Sequence, residues 1–538
     1  MDIDSEFLRE TLDLQESNDP PNKSQIQVLE TFRVHCSDRI TSLDEEISEL
    51  ETKLANLTQI RNNWTSKVDI CTKILSPIRH LPPEIIVEIF IHCLPGSRSR
   101  TLSRLKAPIL LCQICSAWRG IALGISALWE ELAVCINYET TDSGNTVIRH
   151  VMAAGEWFSR AGPDALLNYS CDIHLSEETC YEAPRILSEV LLPYTRRCRT
   201  LDMSTWNVAD VQAFLNISSD EISHLKKATL RFDIGEAEST PTVFFSAPSL
   251  RQLSLMAFAS ISAFHLTIDY MAVFPWRQLT HIYIAAIPPL IWADVFRQCH
   301  ALQEGTFVLQ EIASDHTTTE VPFKLTPTSL SQLLNLTIVC RHPAEHNTVS
   351  GLYELPTWLF GGLDFPLLAK LNLSLEDGGK GFNAKPLPRL PSLRSLSITN
   401  QALSVDNILT LFRVSPGIIE LELKNYDKER IFHALAYEHD SEILLPMLKK
   451  ITIHVNTSTF LPYQPFMHMV KSRFSVQSHV RPSLSSLREV SLLVSKEWSS
   501  IFRFAKAELQ EHEPGLVVNL VVMPDAHWEK KRMEEYLE

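Results

Sequence analysis

The chain of 538 residues is 45% hydrophobic and 21% charged, enough apolar material for a large buried core and too long for one compact domain. A formal net charge of −15 without a basic cluster excludes nucleic acid as a partner class, because phosphate neutralisation by Lys and Arg dominates that affinity. No apolar run nears the roughly 20 residues that span a bilayer, and the acidic start, Met1 to Glu6, is unlike a secretory signal. Eleven cysteines, an odd number without framework spacing, are those of a reduced chain, so the expected location is cytoplasmic or nuclear, with no membrane association.

Residues 1–24 form a polar lead, expected to be flexible, that ends near Pro20-Pro21. From 25 to 76 apolar residues recur at alternating steps of three and four, the signature of a coiled-coil helix. Its a-like positions run Ile26, Arg33, Ile40, Ile47, Leu54, Arg61, Val68 and Leu75, and its d-like positions run Leu29, Cys36, Leu43, Leu50, Leu57, Trp64, Cys71 and Ile78. β-Branched residues at a with Leu at d, as from Ile40 to Leu50, favour a parallel homodimer. The flanking charges do not decide the matter, since Arg39 with Asp44 attracts across a parallel pair while Glu46 with Glu51 repels. An arm or hairpin folded on its own chain is the alternative.

In the segment 77–131, Pro82-Pro83 open a short helix in which Ile85, Ile86, Ile89, Phe90 and Cys93 follow at helical spacing, with Glu84 at its positive end. After Pro95-Gly96 and a basic loop, Ala107 to Ala122 supplies a second helix, apolar on more than one side, and Leu128-Trp129 closes the unit. Three short helices in about fifty residues are too few to bury these groups, so the surplus faces a neighbour.

The run Leu81-Pro82-Pro83-Glu84-Ile85 with Ile89-Phe90, then Cys115, Trp118-Arg119, Ala122 and Leu128-Trp129, resembles the F-box, particularly that of long F-box proteins of mushroom-forming fungi. The helix around Gly155-Glu156-Trp157-Phe158 is similar to the tryptophan-bearing helix that follows the box in those proteins. The resemblance implies a non-catalytic specificity subunit of a Skp-cullin-F-box ubiquitin ligase. Its partners would be a Skp-type adaptor, a cullin reached through it, and an unknown protein target. By resemblance, the adaptor-binding residues are Leu81, Pro82, Ile85, Ile89, Phe90, Cys115, Trp118 and Arg119, with Trp129 and Ala122 in the core.

Residues 132–523 are expected to form one solenoid-like domain, and from about Cys198 onward they repeat a short unit in which apolar residues stand at the first, fourth and sixth places, the pattern of a brief strand. Good copies start at Leu250, Leu279, Leu333, Leu368, Leu393, Ile418 and Leu448, and poorer ones at Cys198, Lys227, Leu302 and Leu487. Proline stands two residues before the unit at positions 248, 366, 391, 416 and 446, expected as a strand entry where a missing donor is harmless. Helix-like stretches such as Asp210 to Ile217, Leu290 to Gln298 and Val405 to Phe412 lie between. The expected fold class is therefore α/β: a long N-terminal helix, a three-helix F-box, then an irregular leucine-rich-repeat solenoid with parallel strands and helices, a horseshoe. Spacing of roughly 23 to 39 residues and a missing or displaced Asn or Cys after the strand depart from that pattern, and an unrelated α/β domain with parallel strands is the alternative. Residues 524–538 form a charged tail.

Catalytic signals are scarce. His342-Pro343-Ala344-Glu345-His346 has the letters of an inverted zinc-protease motif, but that motif needs a helix and Pro343 places it in a loop. Cys112 and Cys115 lack a second pair and read as packing, and Gly378-Gly379-Lys380-Gly381 lacks the rest of a phosphate loop. No catalytic residue, metal or cofactor is expected. Target recognition is expected on exposed strand positions, such as Arg394, Ser395, Ser397, Glu420 and Glu422.

Overall fold

The computed structural model describes residues 14, 19–96, 100–137, 144–174, 183–205, 222–232, 247–256, 274–287, 289–310, 328–341, 363–375, 390–399, 405–424, 429–438, 443–455, 461–475, 485–513 and 515–523. Most of the N-terminal lead, the tail 524–538, Asp210 to Ile217, His342 to His346 and Gly378 to Gly381 lie outside them. The chain divides into two compact units, Met1–Glu88 and Ile89–Glu538.

The first unit is dominated by one uninterrupted helix, α1 (Lys23–Ile74), of 52 residues. Its start is fixed by a reciprocal cap: Gln25 N donates to Asn22 Oδ1 (2.9 Å), and Asn22 N donates to Gln25 Oε1 (3.0 Å). With no break between its ends, the hairpin alternative does not form. None of its residues is buried.

Five short helical pieces follow: a 3₁₀ turn at Pro77–His80, α2 (Pro83–His92), α3 (Ile109–Ile114), α4 (Ser116–Gly124) and a 3₁₀ turn at Ser126–Leu128. The single helix expected from Ala107 to Ala122 is thus two. The break falls at Cys115, whose extended backbone (φ −158°, ψ 170°) lets its Sγ accept a hydrogen bond from Trp118 N and cap α4. Cys115 is accordingly an exposed capping residue rather than packing. Trp129 is buried, its Nε1 donating to the Ala122 carbonyl at 2.9 Å. Helix α5 (Gly144–Arg160) brings Trp157 edge-on to Trp129 at 4.9 Å between ring centroids, so the tryptophan-bearing helix is part of this core.

Among the described residues a single sheet of 14 strands dominates the second unit, and its spatial order is its chain order. Every neighbouring pair is parallel. The strands are β1 (Glu131–Asn137), β2 (Leu167–His174), β3 (Cys198–Thr205), β4 (Lys227–Phe232), β5 (Gln252–Met256), β6 (His281–Ile287) and β7 (Glu304–Gln310). After them come β9 (Asn335–Arg341), β11 (Lys370–Leu375), β12 (Ser395–Thr399), β13 (Glu420–Lys424), β14 (Lys450–Val455), β15 (Glu489–Ser495) and β16 (Val517–Met523). Two short strands, β8 (Thr328–Ser329) and β10 (Leu363–Asp364), pair separately. The remaining helices are α6 (Ala183–Thr195), α7 (Pro289–Gln298), α8 (Val405–Val414), α9 (Glu429–Leu435), α10 (Tyr463–Phe474) and α11 (Ser499–His512), with α7 and α8 where the periodicity places them.

Each expected unit holds a strand, but β1 and β2 precede the first copy and β16 follows the last. The prolines also sit differently. Leu250 N donates to Ala247 O, Leu393 N to Leu390 O and Ile418 N to Ser415 O, so Pro248, Pro391 and Pro416 occupy the second place of a β-turn that precedes the strand. That place suits the fixed φ of proline, and the turn closes on a leucine or isoleucine that is fully buried. The chain from Ile89 onward, across 131/132, belongs to the same compact unit as the sheet. Arg100 ties the two stretches, its guanidinium 3.2 Å from the Glu131 carboxylate and its carbonyl accepting from Ala133 N at 2.7 Å.

One buried cation holds the C-terminal half together. Arg473 of α10 is 4% exposed and its guanidinium donates to the carbonyls of Leu435, Leu444 and Leu445. Burial lowers its pKa to about 10, still charged at neutral pH. Replacement by Met keeps the bulk but leaves three buried acceptors without a donor, so we expect Arg473→Met to lower stability by about 3 kcal/mol. Urea unfolding with an unshifted midpoint would refute this role.

Candidate protein-interaction surface

In the first unit, Leu81 is half-buried, Pro82 is exposed and Ile85 is 48% exposed, whereas Ile86 is buried. In the second unit, Ile89 is half-buried, Cys115 and Arg119 are exposed, and Arg119 Nε donates to the Cys112 carbonyl at 2.8 Å, fixing α4 against α3. Phe90 is fully buried, with the half-buried Trp118 ring 4.9 Å from its own.

Four apolar residues that the motif did not single out are exposed as well. Leu105 is 84% exposed, Ile114 53%, Leu123 42% and Leu110 40%, all within nineteen positions. Leu110 and Ile114 stand one helical turn apart, on one face of α3. Scattered exposed leucines are ordinary on a protein surface, but this density in a segment that buries few residues of its own marks an unpaired surface. Their signal in the sequence was the apolar surplus, which carries no direction.

The second candidate surface is the sheet face opposite the buried leucine columns. In-register pairing aligns like positions across strands, so Asn372, Ser397, Glu422, Thr452 and Ser491 form one row. Exposed residues begin the strands: Lys227, Glu304, Lys370 and Glu420 all face solvent. Ser397 and Glu422 do not meet the expectation of free positions. Ser397 is buried, its Oγ donating to Glu422 at 2.7 Å, while Glu422 also lies 2.7 Å from His454 Nε2. Burial alone would raise the Glu422 pKa. The hydrogen bond from His454, the charges of Lys424 and His454, and the Ser397 hydroxyl outweigh it and hold the carboxyl down at about 2.

Further along, Glu489 accepts from Asn519 Nδ2 (3.1 Å) and pairs with Lys450 (3.0 Å), and Glu304 accepts from Asn335 Nδ2 (2.7 Å). The face thus carries a cross-strand polar network, and Ala285, Val308 and Val339 form an apolar cluster with Met256 and Tyr283 packed against it. Among the described residues no group of three or more His, Cys, Asp or Glu side chains is placed to hold a metal ion. No described helix is long and apolar enough to cross a membrane.

No protein-family model matches this chain, and no curated protein matches it.

The Glu422 network gives a pH-dependent term with a defined sign. Its folded pKa of about 2 lies below its ordinary 4.5, so the stabilisation is complete above pH 4.5 and drains away as pH falls towards 2. With the side chain one-third exposed, screening reduces the full value to about 1–2 kcal/mol. Glu422→Gln is expected to be less stable than the parent at pH 6 by about that amount, with the gap closing by pH 2. A gap that stays constant across this range would show that the carboxylate has no special partners.

Proposed function

We propose that the chain is the substrate-recognition subunit of a Skp-cullin-F-box ubiquitin ligase, with catalysis on other subunits. The observation that carries the reading is the exposed apolar segment of short helices, in which Leu105, Leu110, Ile114 and Leu123 stand uncovered beside the F-box-like sequence elements. Docking to a Skp-type adaptor would bury them. The docking set then comprises Leu81, Pro82, Ile85, Ile89, Cys115, Trp118 and Arg119, and Phe90 supports it from inside.

The strand modules are read as irregular leucine-rich repeats, on the strength of the turn and strand that recur in chain order along one parallel sheet. Their polar face suits a protein segment, because aligned charged and hydroxyl side chains offer distributed contacts. Of the positions expected to choose the target, the exposed strand start Glu420 is kept, and the exposed strand start Lys370 joins it. Helix α1, in which no residue is buried, favours a second reading, a scaffold outside any ligase, and the adaptor separates the two.

Co-purification with a Skp-type adaptor is the test. Leu81→Ala with Pro82→Ala, and separately Ile114→Asp, are expected to weaken adaptor binding at least about 100-fold with little change in the unfolding of the sheet, since the three side chains are exposed or half-exposed. Adaptor binding that survives both changes would move the docking surface elsewhere, and failure of the parent chain to bind any Skp-type adaptor would favour the scaffold. Reversing Lys370 and Glu420 together should remove a target found by proximity labelling while adaptor binding persists; a target retained by that variant would refute the assignment to strand starts.

A further inference from the structure

Among the described residues the heptad seam of helix α1 is half-buried at Leu29 and Cys36 and uncovered through its middle: Ile40 is 59% exposed, Ile47 52%, Leu50 56%, Leu54 66% and Leu57 64%. We infer that this seam is a self-association surface, and that two copies pair through it antiparallel, centred between Ser48 and Glu49.

The two arginines in the seam decide the orientation. A parallel pair sets each a residue against its own copy, so Arg33 would face Arg33 and Arg61 would face Arg61, and juxtaposed like charges cost several kcal/mol. An antiparallel pair sets a against d. In helix α1 the a and d positions are related by a single centre, and that centre is also the midpoint of Lys23–Ile74, so the register that stacks every layer overlaps the helices end to end. Its layers pair Ile26 with Cys71, Leu29 with Val68, Arg33 with Trp64, Cys36 with Arg61, Ile40 with Leu57, Leu43 with Leu54 and Ile47 with Leu50. Neither arginine then meets a like charge. Arg33 meets the indole of Trp64, a favourable cation–π arrangement, and the middle six positions form an unbroken apolar run.

Flanking charges leave the orientation open. Antiparallel pairing sets Glu46 against Lys53 and Asp44 against Glu51, one attraction and one repulsion, and parallel pairing gives the same balance through Arg39 with Asp44 and Glu46 with Glu51. The Ile-at-a, Leu-at-d preference for parallel dimers is confined to Ile40 through Leu50, and two like-charged core layers outweigh it. Area is sufficient: a standard interface buries about 800 Å² per partner, or roughly 60 Å² for each of the fourteen seam side chains within α1, about what one largely buried aliphatic residue contributes. This pairing does not depend on what the short helices bind.

Sedimentation equilibrium of the full chain at micromolar concentration tests it, with the expected mass twice the 61.1 kDa of one chain. Ile47→Glu, at a position that supports nothing else in the fold, is expected to weaken association at least about 100-fold. For orientation, Ile26→Cys under mild oxidation should link its introduced sulfur to the second copy's Cys71, read by peptide mapping. A monomeric parent, or an Ile47→Glu chain that associates as the parent does, overturns the proposal. Bonds joining Cys36 to Cys36 or Cys71 to Cys71 of two copies, or a dimer without the expected bond, overturn the antiparallel register.

Discussion

The sheet depends on one repeated backbone contact. Just before each strand, a single carbonyl accepts two N–H groups from the following unit: Ala369 O from Arg394 N and Ser395 N, Arg394 O from Ile419 N and Glu420 N, Ile419 O from Lys449 N and Lys450 N. The same device recurs from Lys226 to Lys449. It starts each strand at a fixed offset from its neighbour, so the apolar positions stack into buried columns and the polar ones into outward rows. The preceding β-turn, closing on a buried Leu or Ile, anchors the same point to the core. Each unit therefore gains its stability from its neighbours, and the two ends of the array need separate treatment. At the first end the carbonyl of Arg100 accepts from Ala133 on β1 and the Arg100–Glu131 ion pair reinforces it, so the chain around the short helices caps the array as well as presenting its own surface.

Much of this was legible because the columns demand apolar residues at fixed places. The units at Leu393 and Ile418 declare themselves, since Leu396 and Ile398, and then Leu421 and Leu423, fall where the pattern requires. The pattern failed at β1, where an aromatic residue fills the first place: Trp129, Leu132 and Val134 are all buried and match it once tryptophan is admitted. It failed at β2 because the register slips between Leu167 and Asn168, which displaces the apolar positions relative to the turn. The prolines fit a strand entry and a turn equally well in sequence, because a two-residue offset suits both until the hydrogen bond from residue four to residue one is visible.

Side-chain exposure was the least legible property. Phe90 and Trp118 both belong to the F-box-like elements, yet one is fully buried and the other half-buried. Leu105 and Leu111 lie six positions apart with the same chemistry, one 84% and the other 3% exposed. Sequence supplies the apolar surplus and the helical phase, but which phase faces inward depends on the break at Cys115, and that break rests on a backbone conformation no propensity scale marks. Ser397 and Glu422 fail for a related reason. Alternation puts both on the outward face correctly, but His454, two strand positions beyond Thr452 in the same sheet, reaches back and draws them into a closed network.

Helix α1 sets the opposite problem, an element fully legible from its heptads that buries no residue. Isolated helices in water are marginal, and those of folded proteins take most of their stability from a packed face. The reciprocal cap at Asn22 and Gln25 and the ion pair of Lys53 with Glu49 contribute about 1 kcal/mol together, far less than the ordering of 52 residues costs. A surface stripe used only for solubility would carry charges at its a and d positions. Here twelve of the fourteen within the helix are uncharged, and each of the two arginines falls opposite an uncharged residue in the antiparallel register. That arrangement serves no purpose in a helix that stands alone, because a solvated helix does not discriminate between arrangements of its polar residues. It has a physical consequence only when a second copy of the same helix lies against it, reversed.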